Sequence, residues 1–116
     1  MMSWSFDELD AFDSHSSLLL TAGPNSTDSV ELGMVTAGGQ LYVRAFRGPQ
    51  STWFRAARGH GEGSIEVAGR RYPVGLTVAE FDPAIETAYR RKYSAVASLI
   101  ETSDARSATI RITPIE

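Results

Sequence analysis

The sequence contains no cysteine and no apolar run longer than the three leucines at 18–20. Without cysteine the chain has no disulfide framework, no thiolate nucleophile and no cysteine-ligated metal site. Without a long apolar run we expect neither a transmembrane helix nor the hydrophobic core of a signal peptide. The protein is therefore predicted to be cytoplasmic and to have no membrane partner.

Histidine is scarce, since His15 and His60 are the only two in 116 residues. A catalytic triad needs a histidine beside a nucleophile and an orienting carboxylate, and the sequence has no nucleophile-elbow motif. His60 and Glu62 lie together in a glycine-rich segment, but two ligands on a loop make a poor metal site. We predict no catalytic side chain and no metal site.

Basic residues are missing from the first part of the sequence. Residues 1–31 contain six acidic side chains and no lysine or arginine, whereas residues 44–71 contain six arginines and two glutamates. The formal net charge is −3 and the pI is near 5.3. These values argue against a nucleic-acid partner, because nucleic-acid binding usually needs a broad basic face. A small basic patch in an acidic protein suits a compact anionic ligand instead.

The length of 116 residues predicts one domain spanning residues 1–116. Near its start, Ser5 and Glu8 have the spacing of a capping box, which predicts a short helix. Phe6 and Phe12 share one face of that helix, and we interpret them as contacts in the core or in a dimer.

Strand patterning dominates the rest of the chain. Six segments show the period-two pattern of β-strands: residues 17–22, 29–36, 40–46, 64–67, 71–78 and 107–113. Gly38-Gly39 and Ala68-Gly69 are two-residue turn signals that predict two antiparallel hairpins. Strands that come as hairpins favour a small antiparallel barrel.

The strongest helix signal is Asp82-Pro83, a capping residue followed by proline at the first helical position. It predicts a long C-terminal helix over residues 83–101. Within it Glu86 precedes Arg90 by four residues, and we interpret the two as a weak surface ion pair. The predicted fold class is mainly β (α+β), with six antiparallel strands, two short helices and one long helix.

The segment most informative about function joins the strand at 40–46 to the second short helix, predicted over 51–58 and ending at Gly59. Four arginines lie in or beside this junction: Arg44, Arg47, Arg55 and Arg58. A helix N-terminus offers unpaired N–H groups and a partial positive charge, and guanidinium groups donate in pairs to oxyanions. The junction therefore indicates a phosphate or carboxylate site starting at Ser51. The alternative is an ordinary capped helix with solvent-facing arginines.

The residues of this junction also carry a family resemblance. Leu41-Tyr42-Val43-Arg44, Arg47-Gly48 and Trp53-Phe54-Arg55, followed by Gly63-Ser64-Ile65, Ala88–Tyr93 and the closing 105–112, resemble a family of small bacterial proteins of unknown function. That family is similar in turn to the split β-barrels that include FMN-binding pyridoxamine-phosphate-oxidase-like proteins and deazaflavin-dependent reductases. The resemblance covers nearly the whole chain.

The resemblance implies a split barrel that forms a homodimer and holds a cofactor phosphate between a strand, a turn and a short helix. The positions it assigns to cofactor binding are Arg44, Arg47, Ser51, Thr52, Trp53 and Arg55. It implies a flavin- or deazaflavin-dependent oxidoreductase whose chemistry comes from the cofactor. Two alternatives remain: a non-enzymatic binding module for a small phosphorylated or carboxylated ligand, and a structural dimer without a ligand.

Overall fold

The computed structural model describes residues 3–23, 28–45, 48–93 and 103–115. Within these residues the helices are α1 (Phe6–Ser14), α2 (Thr52–His60), α3 (Pro83–Lys92) and α4 (Ser103–Ser107), and a 3₁₀ turn covers Gly48–Gln50. The strands are β1 (Ser17–Ala22), β2 (Val30–Ala37), β3 (Gln40–Arg44), β4 (Glu62–Val67), β5 (Arg70–Val78) and β6 (Thr109–Pro114).

The six strands form a closed barrel in the order β1-β2-β3-β6-β5-β4, and every neighbouring pair is antiparallel. The pairing of β1 with β4 closes the ring. The predicted fold class of six antiparallel strands with accompanying helices is therefore confirmed. Closure removes every sheet edge, which a small β protein otherwise has to protect from pairing with other chains.

Both predicted hairpin turns are present. Gly38 and Gly39 have φ values of 58° and 79°, and the residues that flank them, Ala37 and Gln40, pair directly. Ala68 and Gly69 make the corresponding turn between β4 and β5 with φ values of 54° and 77°. Two successive positive φ values match the right-handed twist of the strands, which explains why glycine occupies three of these four turn positions, with Ala68 at the fourth.

The barrel interior is filled by alternate residues of the strands and closed by α1. Leu41 and Val43 of β3 are completely buried there. The predicted capping box holds α1, because the Glu8 N–H donates to Ser5 Oγ and the Ser5 N–H donates to the Glu8 carboxylate. Phe12 is buried as expected.

Of the two alternatives predicted for Phe6, the core or a dimer contact, the first is wrong, because its side chain is 83% exposed. Trp4 takes the buried place instead. Its ring packs edge-on against Phe12, and its indole N–H donates to the Ile112 carbonyl at 2.9 Å. The core thus takes the aromatic residue before the helix, whose N–H finds a partner on β6.

Several other boundaries differ from the sequence prediction. Strand β3 ends at Arg44 instead of residue 46, and β4 begins at Glu62 instead of residue 64. Helix α2 passes through Gly59 and ends at His60, and the next residue, Gly61, is the left-handed C-cap with a φ of 72°. Helix α3 ends at Lys92, and the remainder of the predicted helix, residues 94–101, lies outside the described residues. The predicted last strand began too early, because residues up to Ser107 form α4.

Strand β2 changes partners halfway along its length. Residues 30–33 pair with β1, whereas residues 34–37 pair with β3. Where the pairing of β2 with β1 ends, the Tyr93 hydroxyl lies between the two chain segments, a place called here the β1–β2 seam. It accepts a hydrogen bond from the Met34 N–H at 2.9 Å and donates to the Ser16 carbonyl at 2.6 Å. Gly33 leaves room for it, since an added Cβ would lie 3.1 Å from that hydroxyl. The parting of β2 from β3 splits the sheet and creates the cavity described next.

Candidate functional site

A cavity of about 750 Å³ lies where β2 parts from β3. Its walls come from the end of β1, the first half of β2, the end of β3 and the start of α2. The lining is mainly apolar: Leu20, Ala22, Val30, Leu32, Gly33, Ala45, Trp53 and Ala56. Its polar members are Asp28, Ser29, Glu31, Arg44, Gln50, Ser51 and Thr52. A mostly apolar pocket of this size with a few polar groups is typical of small-molecule and cofactor sites.

The tight turn before α2 aims the start of that helix at the cavity. Gly48 has a φ of 84°, its N–H donates to the Ala45 carbonyl, and the Ser51 N–H donates to the Gly48 carbonyl. Because positive φ is costly for other residues, glycine at 48 permits β3 to turn directly into the helix. Ser51 and Thr52, the cap and first residues of α2, line the cavity as a result.

The N-terminus of α2 lacks a side-chain cap. Ser51 has the extended backbone of a cap residue, with φ −61° and ψ 135°, but its hydroxyl makes no cap hydrogen bond. The first N–H groups of a helix have no partner within the helix, and together they favour an anion. In α1 and α3 the same groups receive the oxygens of Ser5 and Asp82. At the start of α2, therefore, no side-chain cap occupies the backbone N–H groups, which can donate hydrogen bonds to a ligand in the cavity.

Arg44 lies in the cavity wall, but its guanidinium group is held by neighbours. Nη1 and Nη2 donate to the two carboxylate oxygens of Glu86 at 3.1 and 2.6 Å, and Nε donates to Thr109 Oγ1 at 2.9 Å. The group also lies 4.8 Å from the ring centroid of Tyr89. Two parallel N–H···O bonds are the strongest geometry for this kind of ion pair.

The prediction that Glu86 forms a surface pair with Arg90 is wrong, because Glu86 is only 4% exposed. Helix α3 packs over the outer face of β2 and β3, which brings Glu86 to Arg44. Arg106 of α4 donates to the same carboxylate at 3.0 Å. Burial alone would raise the pKa of Glu86, but the bonds and charges of Arg44 and Arg106 outweigh it and lower that pKa.

The structure brings together four of the six predicted cofactor-binding residues: Arg44, Ser51, Thr52 and Trp53 all line the cavity. Arg55 lies exposed on α2 and is not part of the lining. Arg47 lies outside the described residues. Trp53 is partly buried and meets Phe54 edge-to-face, with ring centroids 6.1 Å apart.

Sequence reasoning missed two acidic residues of the lining, Asp28 and Glu31. Glu31 is exposed, and one of its oxygens accepts a hydrogen bond from Ser17 Oγ at 2.7 Å. Its place opposite Leu19 in the β1–β2 pairing puts it on the outer face of the barrel. The alternation of Val30, Glu31 and Leu32 predicts that face but gives no sign that β3 leaves a cavity beside it.

Two further features can be stated for the described part of the chain. It contains no cluster of three or more histidine, aspartate or glutamate side chains able to hold a metal ion. None of its helices combines the length and apolar character needed to cross a membrane.

The comparisons with known proteins agree with this architecture. The model of a family described as "uncharacterized protein conserved in bacteria (DUF2255)" matches residues 8–112. No curated protein sequence matches the chain.

Solved structures share the fold at low sequence identity. A putative pyridoxamine 5'-phosphate oxidase from Listeria innocua aligns with a TM-score of 0.60 and 10% identity, over 92% of this chain and 88% of that protein. A conserved hypothetical protein from Mycobacterium tuberculosis aligns with a TM-score of 0.61 and 12% identity, over 98% of this chain and 81% of that protein. The fold is thus that of the pyridoxamine-phosphate-oxidase-like barrels.

Proposed function

Because the chain belongs to this family of uncharacterized bacterial proteins and shares the barrel of pyridoxamine-phosphate-oxidase-like structures, we propose that its cavity binds a flavin or deazaflavin nucleotide and that it serves as an oxidoreductase. One observation carries the proposal: an apolar cavity of about 750 Å³ meets a helix N-terminus that has no side-chain cap. Such a cavity has room for a planar ring, and such a terminus favours a phosphate.

The lining residues fit the two parts of such a cofactor. The backbone N–H groups at the start of α2, with the hydroxyls of Ser51 and Thr52, would hold the phosphate. Trp53 and the apolar residues Val30 and Leu32 would border the ring and exclude water from it. The cofactor would supply the electron or hydride transfer, so the enzyme would need no catalytic side chain of its own.

Arg44 would contribute a fixed positive charge to the cavity wall beside the ligand. Its guanidinium group is fixed by Glu86 and Thr109, so its position does not depend on a ligand. A fixed charge costs no reorganisation when a ligand arrives. Arg47, the neighbouring arginine predicted from the sequence, would be the residue that contacts the phosphate directly.

A second candidate is binding of a small phosphorylated ligand without turnover. It is supported by the uncapped start of α2 at the cavity, because such a helix N-terminus favours a phosphate whether or not a flavin ring is attached to it. The predicted homodimer is compatible with either function and remains a prediction.

Absorbance and tryptophan fluorescence test the proposal. Purified protein, as isolated or after addition of FMN or the deazaflavin cofactor, is expected to show bound-cofactor absorbance between about 350 and 470 nm, where flavins and deazaflavins absorb. Binding is also expected to quench Trp53. Trp53→Phe should abolish that quenching, whereas Trp4→Phe should not, since Trp4 is buried against β6 away from the lining.

Arginine variants test the predicted phosphate contact. Arg47→Ala should weaken FMN binding about tenfold or more, because a hydrogen bond to a charged group contributes ~1.5–3 kcal/mol. The matched control is Arg91→Ala, because Arg91 is exposed on α3 and absent from the lining. Equal binding by the two variants would rule out the phosphate contact. Quenching by inorganic phosphate and simple phosphate esters, but by neither cofactor, would support the second candidate.

A further inference from the structure

Tyr93, the residue that follows α3, reaches the strand that forms one wall of the cavity. Its hydroxyl contacts both backbone groups of Met34 on β2: it accepts from the N–H at 2.9 Å and lies 3.0 Å from the carbonyl oxygen. It also donates to the Ser16 carbonyl at 2.6 Å. Burial raises the pKa of Tyr93, so the hydroxyl keeps its proton and remains a donor.

The hydroxyl stands where the next pair of the β1–β2 ladder would form. Ser17 pairs with Gly33, so the following pair in that register would be Ser16 with Met34. In its place the Tyr93 hydroxyl bonds the backbone of both residues. Because buried backbone groups need hydrogen-bond partners, this side chain ends the pairing of β2 with β1 at a fixed position.

That position borders the cavity. Gly33, the residue before Met34, lines the cavity together with Val30 and Leu32. Tyr93 itself is not part of the lining. Its hydroxyl therefore holds, from outside the cavity, the end of the β2 segment that forms the wall.

Helix α3 is also bonded to the wall that β3 contributes. Glu86 of that helix binds the guanidinium group of Arg44, the last residue of β3. Glu86 and Tyr93 are seven residues apart, which is about two helical turns. One helix, with the residue that ends it, thus joins the two strands whose parting creates the cavity.

We infer that Tyr93 is a positioning residue for the ligand: its hydroxyl fixes the β2 wall and so keeps the cavity formed before a ligand arrives. The inference rests on the proposed function and adds to it a residue that does not touch the ligand. A wall that is already in place costs no ordering free energy on binding. Loss of the hydroxyl is therefore expected to weaken binding although every lining side chain remains.

The chain offers a matched control in Tyr89, one helical turn before Tyr93. Both tyrosines pack between α3 and the sheet, with ring centroids 5.9 Å apart. Tyr89 is buried, and among the residues that the structure describes its hydroxyl has no hydrogen-bond partner. Tyr89→Phe therefore removes the same atom as Tyr93→Phe from the same surface, without removing a bond to β2.

The experiment compares the two variants in a chain that carries Trp4→Phe, so that Trp53 is the only tryptophan. Tyr93→Phe should weaken FMN binding, measured by Trp53 quenching, about fivefold. In the protein without FMN it should also raise the quenching of Trp53 by acrylamide, because a loosened β2 wall exposes the cavity. Tyr89→Phe should change neither quantity.

Circular dichroism establishes that each variant is folded under the conditions of the binding measurement. A hydroxyl that only stabilised the fold would change the urea midpoint and leave the affinity of the folded protein unchanged. If Tyr93→Phe does not fold, Gly33→Ala takes its place, because the added Cβ would lie 3.1 Å from the Tyr93 hydroxyl and 3.2 Å from Cζ and so displace it.

The outcomes separate the inference from the function on which it rests. Equal FMN affinities and equal acrylamide quenching for Tyr93→Phe and Tyr89→Phe would overturn the inference, while FMN binding by both would leave the proposed function standing. If FMN does not bind even with both tyrosines present, the proposed function is wrong. Acrylamide quenching then still decides whether Tyr93 holds the wall.

Discussion

Replacing Glu86 tests how the wall of the cavity is held. Glu86→Ala leaves the guanidinium group of Arg44, which is only 4% exposed, without its carboxylate. Removing one partner of a buried ion pair typically costs ~3–5 kcal/mol, because the other charge stays buried and uncompensated. Since small domains have a total stability of ~5–15 kcal/mol, the variant is expected to unfold at a much lower urea concentration.

Arg106→Ala is the matched control. The Arg106 side chain donates to the same carboxylate but is 37% exposed, and partly solvated ion pairs contribute about 1 kcal/mol or less. Urea titrations followed by tryptophan fluorescence give both free energies of unfolding from the midpoints and slopes. If Glu86→Ala costs less than about 1 kcal/mol, or no more than Arg106→Ala, the reasoning from burial is wrong.

A double variant guards against the case in which Glu86→Ala does not fold. Arg44→Met with Glu86→Leu removes both charges and keeps apolar volume in their place. Replacing a whole buried ion pair with packed apolar residues is often neutral or stabilising. Glu86→Ala is expected to lose ~3–5 kcal/mol of stability, whereas the double variant should lose little. The double variant is therefore expected to be more stable than Glu86→Ala by at least ~2 kcal/mol.

The lowered pKa of Glu86 makes the same ion pair depend on pH. A carboxyl group whose pKa is lower in the folded state stabilises the fold above its unfolded value of about 4.3. That stabilisation is lost as the pH falls through the folded pKa. The wild-type protein should therefore lose more stability than Glu86→Gln between pH 5 and the acid range, measured by urea titration at each pH.

Three further outcomes are expected. Tyr93→Phe should cost ~1–3 kcal/mol, because it leaves strand backbone groups at the β1–β2 seam without their partner; urea titration measures it. Gly63→Ala should prevent β1 from pairing with β4, because the added Cβ would lie 2.1 Å from the Thr21 carbonyl oxygen. Gly59→Ala is its control, because Gly59 has open space around it in α2, and this variant should be neutral or more stable by ~0.4–1 kcal/mol. Thermal melts of the two variants measure the difference in stability. Light scattering at tens of micromolar should give twice the 12.6 kDa chain mass if the predicted homodimer forms.

Local signals account for the parts of the fold that were predicted. Gly38-Gly39 and Ala68-Gly69 determine their hairpins because positive φ is required at those positions. Ser5 with Glu8, and Asp82 with Pro83, determine where two helices begin. Each of these interactions joins residues no more than four positions apart, so the sequence alone reveals it.

The parts that could not be predicted depend on contacts between distant segments. Arg44 and Glu86 are 42 residues apart, and only the packing of α3 on β3 brings them together. A helical spacing of four therefore made Arg90 seem the natural partner of Glu86. The burial of Trp4 instead of Phe6 was equally hard to predict. The indole N–H of Trp4 has its partner in the Ile112 carbonyl, which lies 108 positions away in the sequence.

The candidate site was predicted in part for the same reason. Ser51, Thr52 and Trp53 follow from a local strand–turn–helix pattern, and all three line the cavity. Asp28 and Glu31 belong to the site because β2 exchanges β1 for β3 as its partner at Gly33 and Met34. That exchange is a property of the whole barrel, and the alternating pattern of β2 shows no break where it occurs.

The position of β6 in the barrel has a consequence for how the chain is completed. β6 is the last strand in sequence but lies between β3 and β5. Before residues 109–114 are added, the other five strands can pair only in the row β3-β2-β1-β4-β5, which ends in two open edges. An open edge is a template on which a second unfinished chain can pair. The final six-residue strand thus decides whether a newly made chain closes on itself or is left to associate with its neighbours, and a truncation there would expose two edges at once.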